Sequence, residues 1–199
     1  MRLKLIMLWT LLFISTLSFG QKVFNSNYKL EKESLKMALV PILNEYNSFN
    51  DTIMLKIFSK DSENVELVSP TKTRKILSAN LKAQEILDKI IMTDYKKKEL
   101  KKYPNLNTIL DNSEIDYLKK ALEEPDFILI PIAFNFKAIG IHTFGYCKFR
   151  YYNLNTGEFI FEFSENMNVN MSGEKGIKGL TGALLSVLKD YYKKKFLKI

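Results

Sequence analysis

Two runs, Phe144 to Asn153 and Glu158 to Val169, flank the tetrapeptide Leu154-Asn155-Thr156-Gly157, and this stretch constrains the fold more than any other. Gly157 suits the left-handed position that closes a three-residue hairpin loop. With loop residues 155–157, opposed positions pair Tyr151 with Phe161, Phe149 with Phe163 and Arg150 with Glu162. Aromatics then meet aromatics on one side, and opposite charges meet on the other. A slip of one residue sets Phe149 against Glu162 and scrambles both faces, so the register is well specified.

The rest of the chain reads as strands and helices around that hairpin. Met37 to Leu43 is a short apolar run with a proline, which suits a buried strand. Residues 50–58 fit a short helix or a strand equally. Val65-Glu-Leu-Val68 alternates as a strand and runs into Ser69-Pro70, an N-cap followed by a proline at the first helical position, opening a helix through Leu77. From Leu81 to Tyr103, apolar residues at 83, 86, 87, 90, 91 and 95 predict a helix that Pro104 stops. Ser113 to Asp116 is expected to cap a further helix with Ile115, Leu118 and Leu122 on one side. Phe127 to Phe134 is the most apolar strand candidate, and Pro131 within it predicts a bulge or an edge. The fold class is α/β: a single domain over residues 36–199, with a mixed sheet, helices on its faces, and a β-hairpin followed by a long C-terminal helix. Residues 21–35 read as a loose arm or a short helix from Leu30 to Leu35.

That last helix begins in a glycine-rich segment, with Gly173, Gly176, Gly179 and Gly182 at every third position, four of the eight glycines in the chain. It stands between a strand and a helix, where a phosphate loop would stand. Neither Gly-x-Gly-x-x-Gly nor a Gly-Lys-Ser/Thr ending is present, and the apolar stripe Ile177, Leu180, Leu184, Val187, Leu188, Tyr191 has helical period. Close packing of the helix on the sheet is the reading adopted. Anion binding by amides near Gly173 and Gly176, assisted by Lys175, is the second.

The chain opens with Arg2 and Lys4, an apolar run from Leu5 to Ile14, and a small-residue end at Gly20, the pattern of a secretory signal peptide over residues 1–20. The run is shorter than the ~20 apolar residues a spanning helix needs, and none of that length follows, so no transmembrane span is expected once the leader is removed. Loss of the leader leaves 28 basic against 22 acidic residues, a net charge of +6 in place of +8. Cys147 is the one cysteine, so no intramolecular disulfide forms, and about 180 residues suffice for a core without one.

Chemistry is sparse. His142, the one histidine, and Cys147 are too few for a zinc site, and their odd separation puts them on opposite faces of a strand. His142 is expected in a loop and Cys147 as a small buried hydrophobe. Glu123 and Glu124 read as a solvated helix end. No catalytic, cofactor-binding or metal-ligating residue is assigned, and an enzyme is disfavoured. The cationic run Lys96, Lys97, Lys98, Lys101 and Lys102 forms a basic patch, and Lys193 to Lys195 a second. For an exported chain, an envelope polyanion fits such patches better than nucleic acid.

The order of elements, with the strands at Met37 to Asn44 and Asp126 to Ala133, the strand and helix at Val65 to Leu77, and the Thr-Gly-Glu hairpin at Tyr151 to Glu162, resembles a group of bacterial envelope proteins. These are the relatives of the curli secretion channel subunit, the lipoprotein activator of penicillin-binding proteins, and the N-terminal domain of the Tol translocation protein. The resemblance implies an exported, non-catalytic domain, periplasmic or extracellular, that binds an envelope protein or polyanionic polymer. Gln21 stands where family lipoproteins carry a lipid-bearing cysteine, and no apolar insertion suggests a pore-forming hairpin, so neither anchoring nor a channel is carried over. The alternatives are a secreted hydrolase whose dispersed carboxylates converge in space, and a carrier with an apolar pocket under the Phe/Tyr sheet.

Overall fold

The computed structural model describes residues 22–25, 28, 35–42, 47–59, 65–93 and 105–194. The expected leader, and Lys96, Lys97, Lys98, Lys101 and Lys102, lie outside the described residues, as does Lys195. The elements run β1 (Lys22–Phe24), β2 (Leu35–Leu39), α1 (Asn47–Ser59), β3 (Val65–Val68), α2 (Pro70–Ala79), α3 (Leu81–Met92), a 3-10 turn (Leu106–Thr108), α4 (Asn112–Ala121), β4 (Phe127–Ile139), β5 (His142–Asn153), β6 (Phe159–Val169) and α5 (Gly173–Tyr192). Six strands form one sheet in the order β1-β6-β5-β4-β2-β3. β2 runs parallel to both β3 and β4, and the remaining pairs are antiparallel. The sheet is therefore mixed, as expected.

Side-chain alternation along the strands feeds two cores. Leu35, Met37 and Leu39 of β2 with Phe127 and Leu129 of β4 face one side, where Met54 and Phe58 of α1 and Leu180, Leu184 and Leu188 of α5 close over them. Ala38, Val40, Ile128 and Ile130 face the other, under Leu77 of α2, Ile86 and Ile90 of α3, and Ile115 and Leu118 of α4. A strand buried on both faces cannot alternate with polar residues, which is why Phe127 to Ile130 reads as an unbroken apolar run.

The hairpin register holds: Tyr151 pairs with Phe161, Phe149 with Phe163 and Arg150 with Glu162. It then shifts by one between Tyr151 and Tyr152, and Tyr152 pairs with Phe159. In the turn, the Asn153 side chain accepts from the amides of Asn155 and Thr156, and Gly157 takes φ +70°.

Some expectations are resolved and others corrected. Residues 50–58, which fitted a helix or a strand, belong to a helix, α1. The cap of α4 is Asp111, not Ser113: Asp111 accepts from the Glu114 amide while Glu114 accepts from the Asp111 amide, a reciprocal capping box that starts the helix earlier. α3 is described to Met92 only, and residues 94–104 lie outside the described residues. β4 continues past Phe134 to Ile139 and returns as β5 through Gly140-Ile141, so His142 is the first residue of a strand rather than of a loop. Within the expected arm, Lys22–Phe24 forms the edge strand β1 on β6, and the Asn25 amide donates to the Ile160 carbonyl. This pairing covers backbone groups that β6 would otherwise present as an open edge.

Candidate functional site

The concave site of this fold arises where two parallel strands part. β2 ends at Leu39, and the Val40 amide still donates to the Leu129 carbonyl at 3.0 Å. Pro41 follows, while β4 goes on and shifts register against β5 between Pro131 and Ala133. Residue 131 has the same parity as Leu129, so its missing amide faces the side that β2 has just vacated. The proline expected to mark a bulge or an edge thus marks both.

The gap is roofed by α2 and α3 and has a volume of about 420 Å³. Its apolar walls come from Val40, Pro41 and Ile42 after β2, Leu77 of α2, Leu87 and Ile91 of α3, and Pro131 to Phe134 of β4. Its polar groups are Arg74, Ser78, Gln84, Asp88 and Asn135. The site lies outside the carboxyl ends of parallel strands, the common location of ligand crevices in α/β sheets, and its size lies within the range of small-molecule sites.

Local sequence explains each wall. α2 starts at Ser69, whose hydroxyl accepts from the Lys72 amide, with Pro70 in the first turn. It ends at Asn80, whose side chain accepts from the Ala83 amide and so begins α3. One residue therefore sets the angle between the two helices that roof the crevice. Arg74 clamps α2 to α1: its Nε and Nη2 donate to the buried Asp51 carboxylate at 2.8–3.0 Å.

The far end of α3 is held by a side chain the sequence placed only in the hairpin. Arg150 is fully buried; its Nε donates to Glu162 at 2.7 Å and its Nη1 to the carbonyls of Ile90 and Thr93. Lys148 lies 3.4 Å from the second oxygen of Glu162. A guanidinium at a helix C-terminus is favoured by the helix dipole and satisfies carbonyls that the helix leaves unpaired. Cross-strand pairing with Glu162 was legible from the register; the helix contact was not.

The remaining site candidates lie elsewhere. Gly173, Lys175 and Gly176 come together in the first turn of α5, further along β4 than the crevice. Gly173 has φ +64° and Lys175 is exposed. Gly176 is buried, and a Cβ there would run into the Met171 carbonyl and stand 2.6 Å from the Thr143 hydroxyl. That is close packing, as expected, but at one glycine: Gly179 meets only the tip of the Met171 side chain, and Gly182 has open space. Cys147 is buried, and burial pushes its thiol up to about 12, so it stays protonated and unreactive at neutral pH. His142 is exposed at the β4–β5 turn. Glu123 and Glu124 follow α4 with positive φ and pair with Lys72 and Lys119. Among the described residues the crevice presents one carboxylate, Asp88, and no pair of facing acids lines it. Among the described residues no group of three or more His, Cys, Asp or Glu could hold a metal ion, and no helix is long and apolar enough to cross a membrane.

Fold and site together define a three-layer α/β/α domain with a ligand-sized crevice at its strand ends. No protein-family model matches the chain, and no curated protein does. Solved structures similar to it include the PelC dodecamer from Paraburkholderia phytofirmans, with a TM-score of 0.43 and 9% identity, covering 86% of this chain and 96% of that one. Lipoprotein GNA1162 from Neisseria meningitidis gives a TM-score of 0.41 and 14% identity over 80% of this chain and 99% of its own. The hypothetical protein CT253 from Chlamydia trachomatis gives 0.47 and 8% over 83% and 100%. These scores are too low to establish a shared property.

Proposed function

We propose that the chain is an exported, non-catalytic accessory protein of the cell envelope, related to the envelope group named above, whose crevice between β2, β4 and the α2–α3 pair receives part of a protein or polymer partner. Removal of residues 1–20 as a leader belongs to this proposal. The observation that supports it is the crevice: apolar walls wide enough for one or two large side chains, with Ser78, Gln84 and Asp88 available to orient what enters. Its fixed cation, Arg74, is already neutralised by Asp51, which suits a site selecting for apolar bulk over charge.

The test is site-specific photo-crosslinking from Ser78 in cells, with the exported fraction analysed for adducts. A discrete adduct that disappears when Ala133→Trp fills the crevice supports the proposal. No adduct, or one indifferent to Ala133→Trp, refutes it. The volume of about 420 Å³ also favours a second reading, a carrier of a small apolar ligand. Native mass spectrometry of the exported protein separates the two, because a carrier retains a mass that Ala133→Trp displaces.

A further inference from the structure

The far end of the sheet, beyond the crevice, is apolar where it has no protein to cover it. Ile139 is 52% exposed, Ile141 66%, Phe144 38% and Met171 47%. All four belong to one convex tip, made by the β4–β5 turn and the loop from β6 into α5. The Thr143 hydroxyl donates to the Met171 carbonyl at 2.7 Å and joins the two parts.

The four side chains do not share a face. Gly145 faces Leu180 of α5, so Phe144, its neighbour in the strand, points away from α5. Ile139 lies on that same side, because the pairs Lys137–Phe144 and Ile139–His142 are two residues apart. Met171 lies on the α5 side, with its methyl group beside Gly179. Ile141 sits at the apex, in the turn. A flat protein surface covers one side of such a projection; a medium that surrounds it covers every side.

Charge identifies the medium. Lys137 stands opposite Phe144 on one face, and Lys175 is exposed in the first turn of α5 on the other. Among the described residues neither is matched by a carboxylate, while the nearby Glu174 is paired with Lys178. Lys137 is two residues behind Ile139, roughly 7 Å at strand spacing. That sets its ammonium near headgroup level when the isoleucines enter the acyl boundary, within the roughly 5–10 Å depth of interfacial insertion. A second copy is the less suitable occupant, since each exported chain, with 28 basic against 22 acidic residues once the leader is lost, carries a net charge of +6 and copies repel.

We propose that this tip docks on an anionic lipid bilayer, Ile139, Ile141, Phe144 and Met171 entering the outer acyl region while Lys137 and Lys175 hold lipid phosphates. Nothing in this depends on the crevice, and crosslinking from Ser78 reports on that site separately.

The experiment is co-sedimentation of the exported protein with vesicles of phosphatidylglycerol and phosphatidylcholine in equal parts, and with phosphatidylcholine alone. The wild type is expected to sediment with the anionic vesicles and to be released by high salt. Ile139→Ser with Ile141→Ser weakens binding on the order of tenfold or more. Lys137→Ala and Lys175→Ala each weaken it about fivefold. All four positions are exposed, and unchanged thermal unfolding verifies that the variants fold. Sedimentation with neither vesicle, or binding that the isoleucine variant retains, overturns the proposal. So does a fall in solution mass on Ile139→Ser with Ile141→Ser in a protein that binds no vesicle, which makes the tip a contact between copies.

Discussion

Gly176→Ala and Gly182→Ala make the same chemical change on one helix, α5, and the structure predicts opposite signs for them. At Gly182 nothing lies within 4 Å of an added Cβ. The substitution brings only the helical preference of alanine over glycine, about 1 kcal/mol of stabilisation. At Gly176 the new methyl group meets the Met171 carbonyl, which is backbone and cannot rotate aside, and the Thr143 hydroxyl. Overpacking of this kind costs about 1–3 kcal/mol. The movement that relieves it breaks the Thr143–Met171 hydrogen bond, worth about 1 kcal/mol, which offsets the helical gain. Gly176→Ala is therefore destabilising by about 1–3 kcal/mol. At roughly 2–4 °C per kcal/mol for a domain of this size, Gly182→Ala melts about 2–4 °C above wild type and Gly176→Ala about 2–12 °C below it. Urea unfolding with an unchanged m-value checks that both are effects on stability. A Gly176→Ala protein melting at or above wild type, or two shifts of the same sign, refutes the claim that Gly176 alone among the α5 glycines is packed too tightly to take a methyl group.

Three further outcomes follow from the buried groups. Glu162→Gln alone leaves the buried Arg150 guanidinium without its counter-charge and costs about 3–5 kcal/mol in urea unfolding, whereas Arg150→Met with Glu162→Leu costs much less than the two single losses together. Asp51→Asn loosens the clamp of α1 on α2 and costs about 1.5–3 kcal/mol, the range for hydrogen bonds to charged groups. Burial raises Cys147 from 9.0 and Tyr191 from 10.0 to about 12 each, so the unfolded chain loses these protons first. Their contribution is whole below about pH 9 and declines as pH rises toward 12, measured as a falling urea midpoint; a midpoint flat across that interval contradicts the burial of Cys147 and the partial burial of Tyr191.

The hairpin was legible because both of its faces carry information: aromatic pairs on one, Arg150 with Glu162 on the other, so that one register satisfies both. The helix caps were nearly so, and the miss at Ser113 came from two acceptors within reach of one amide ladder, of which Asp111 makes the reciprocal pair. The crevice was not legible. Its walls come from residues 40–42, 74–91 and 131–135, and every apolar residue there reads as ordinary core until β2 is seen to stop where β4 continues. Pro131 announced the irregularity without saying which neighbour would be missing. The tip was hidden for the opposite reason. Ile139 and Ile141 look like strand interior, and only the length of β4 carries them beyond the last helix.

The glycine spacing shows how a regular pattern misleads. An α-helix turns about 100° per residue, so glycines three apart fall about 60° short of a full turn at each step. Gly173 to Gly182 therefore sweeps about half the circumference of α5 instead of lining one face. At most one or two of them can meet the sheet, and Gly176 is the one buried there. A face smooth enough for continuous close approach requires a spacing that returns to the same side, such as four, three and four residues. The period of three in this chain by itself excludes that face, and it leaves the contact between α5 and the sheet resting on Gly176, Gly145 and the leucines that follow.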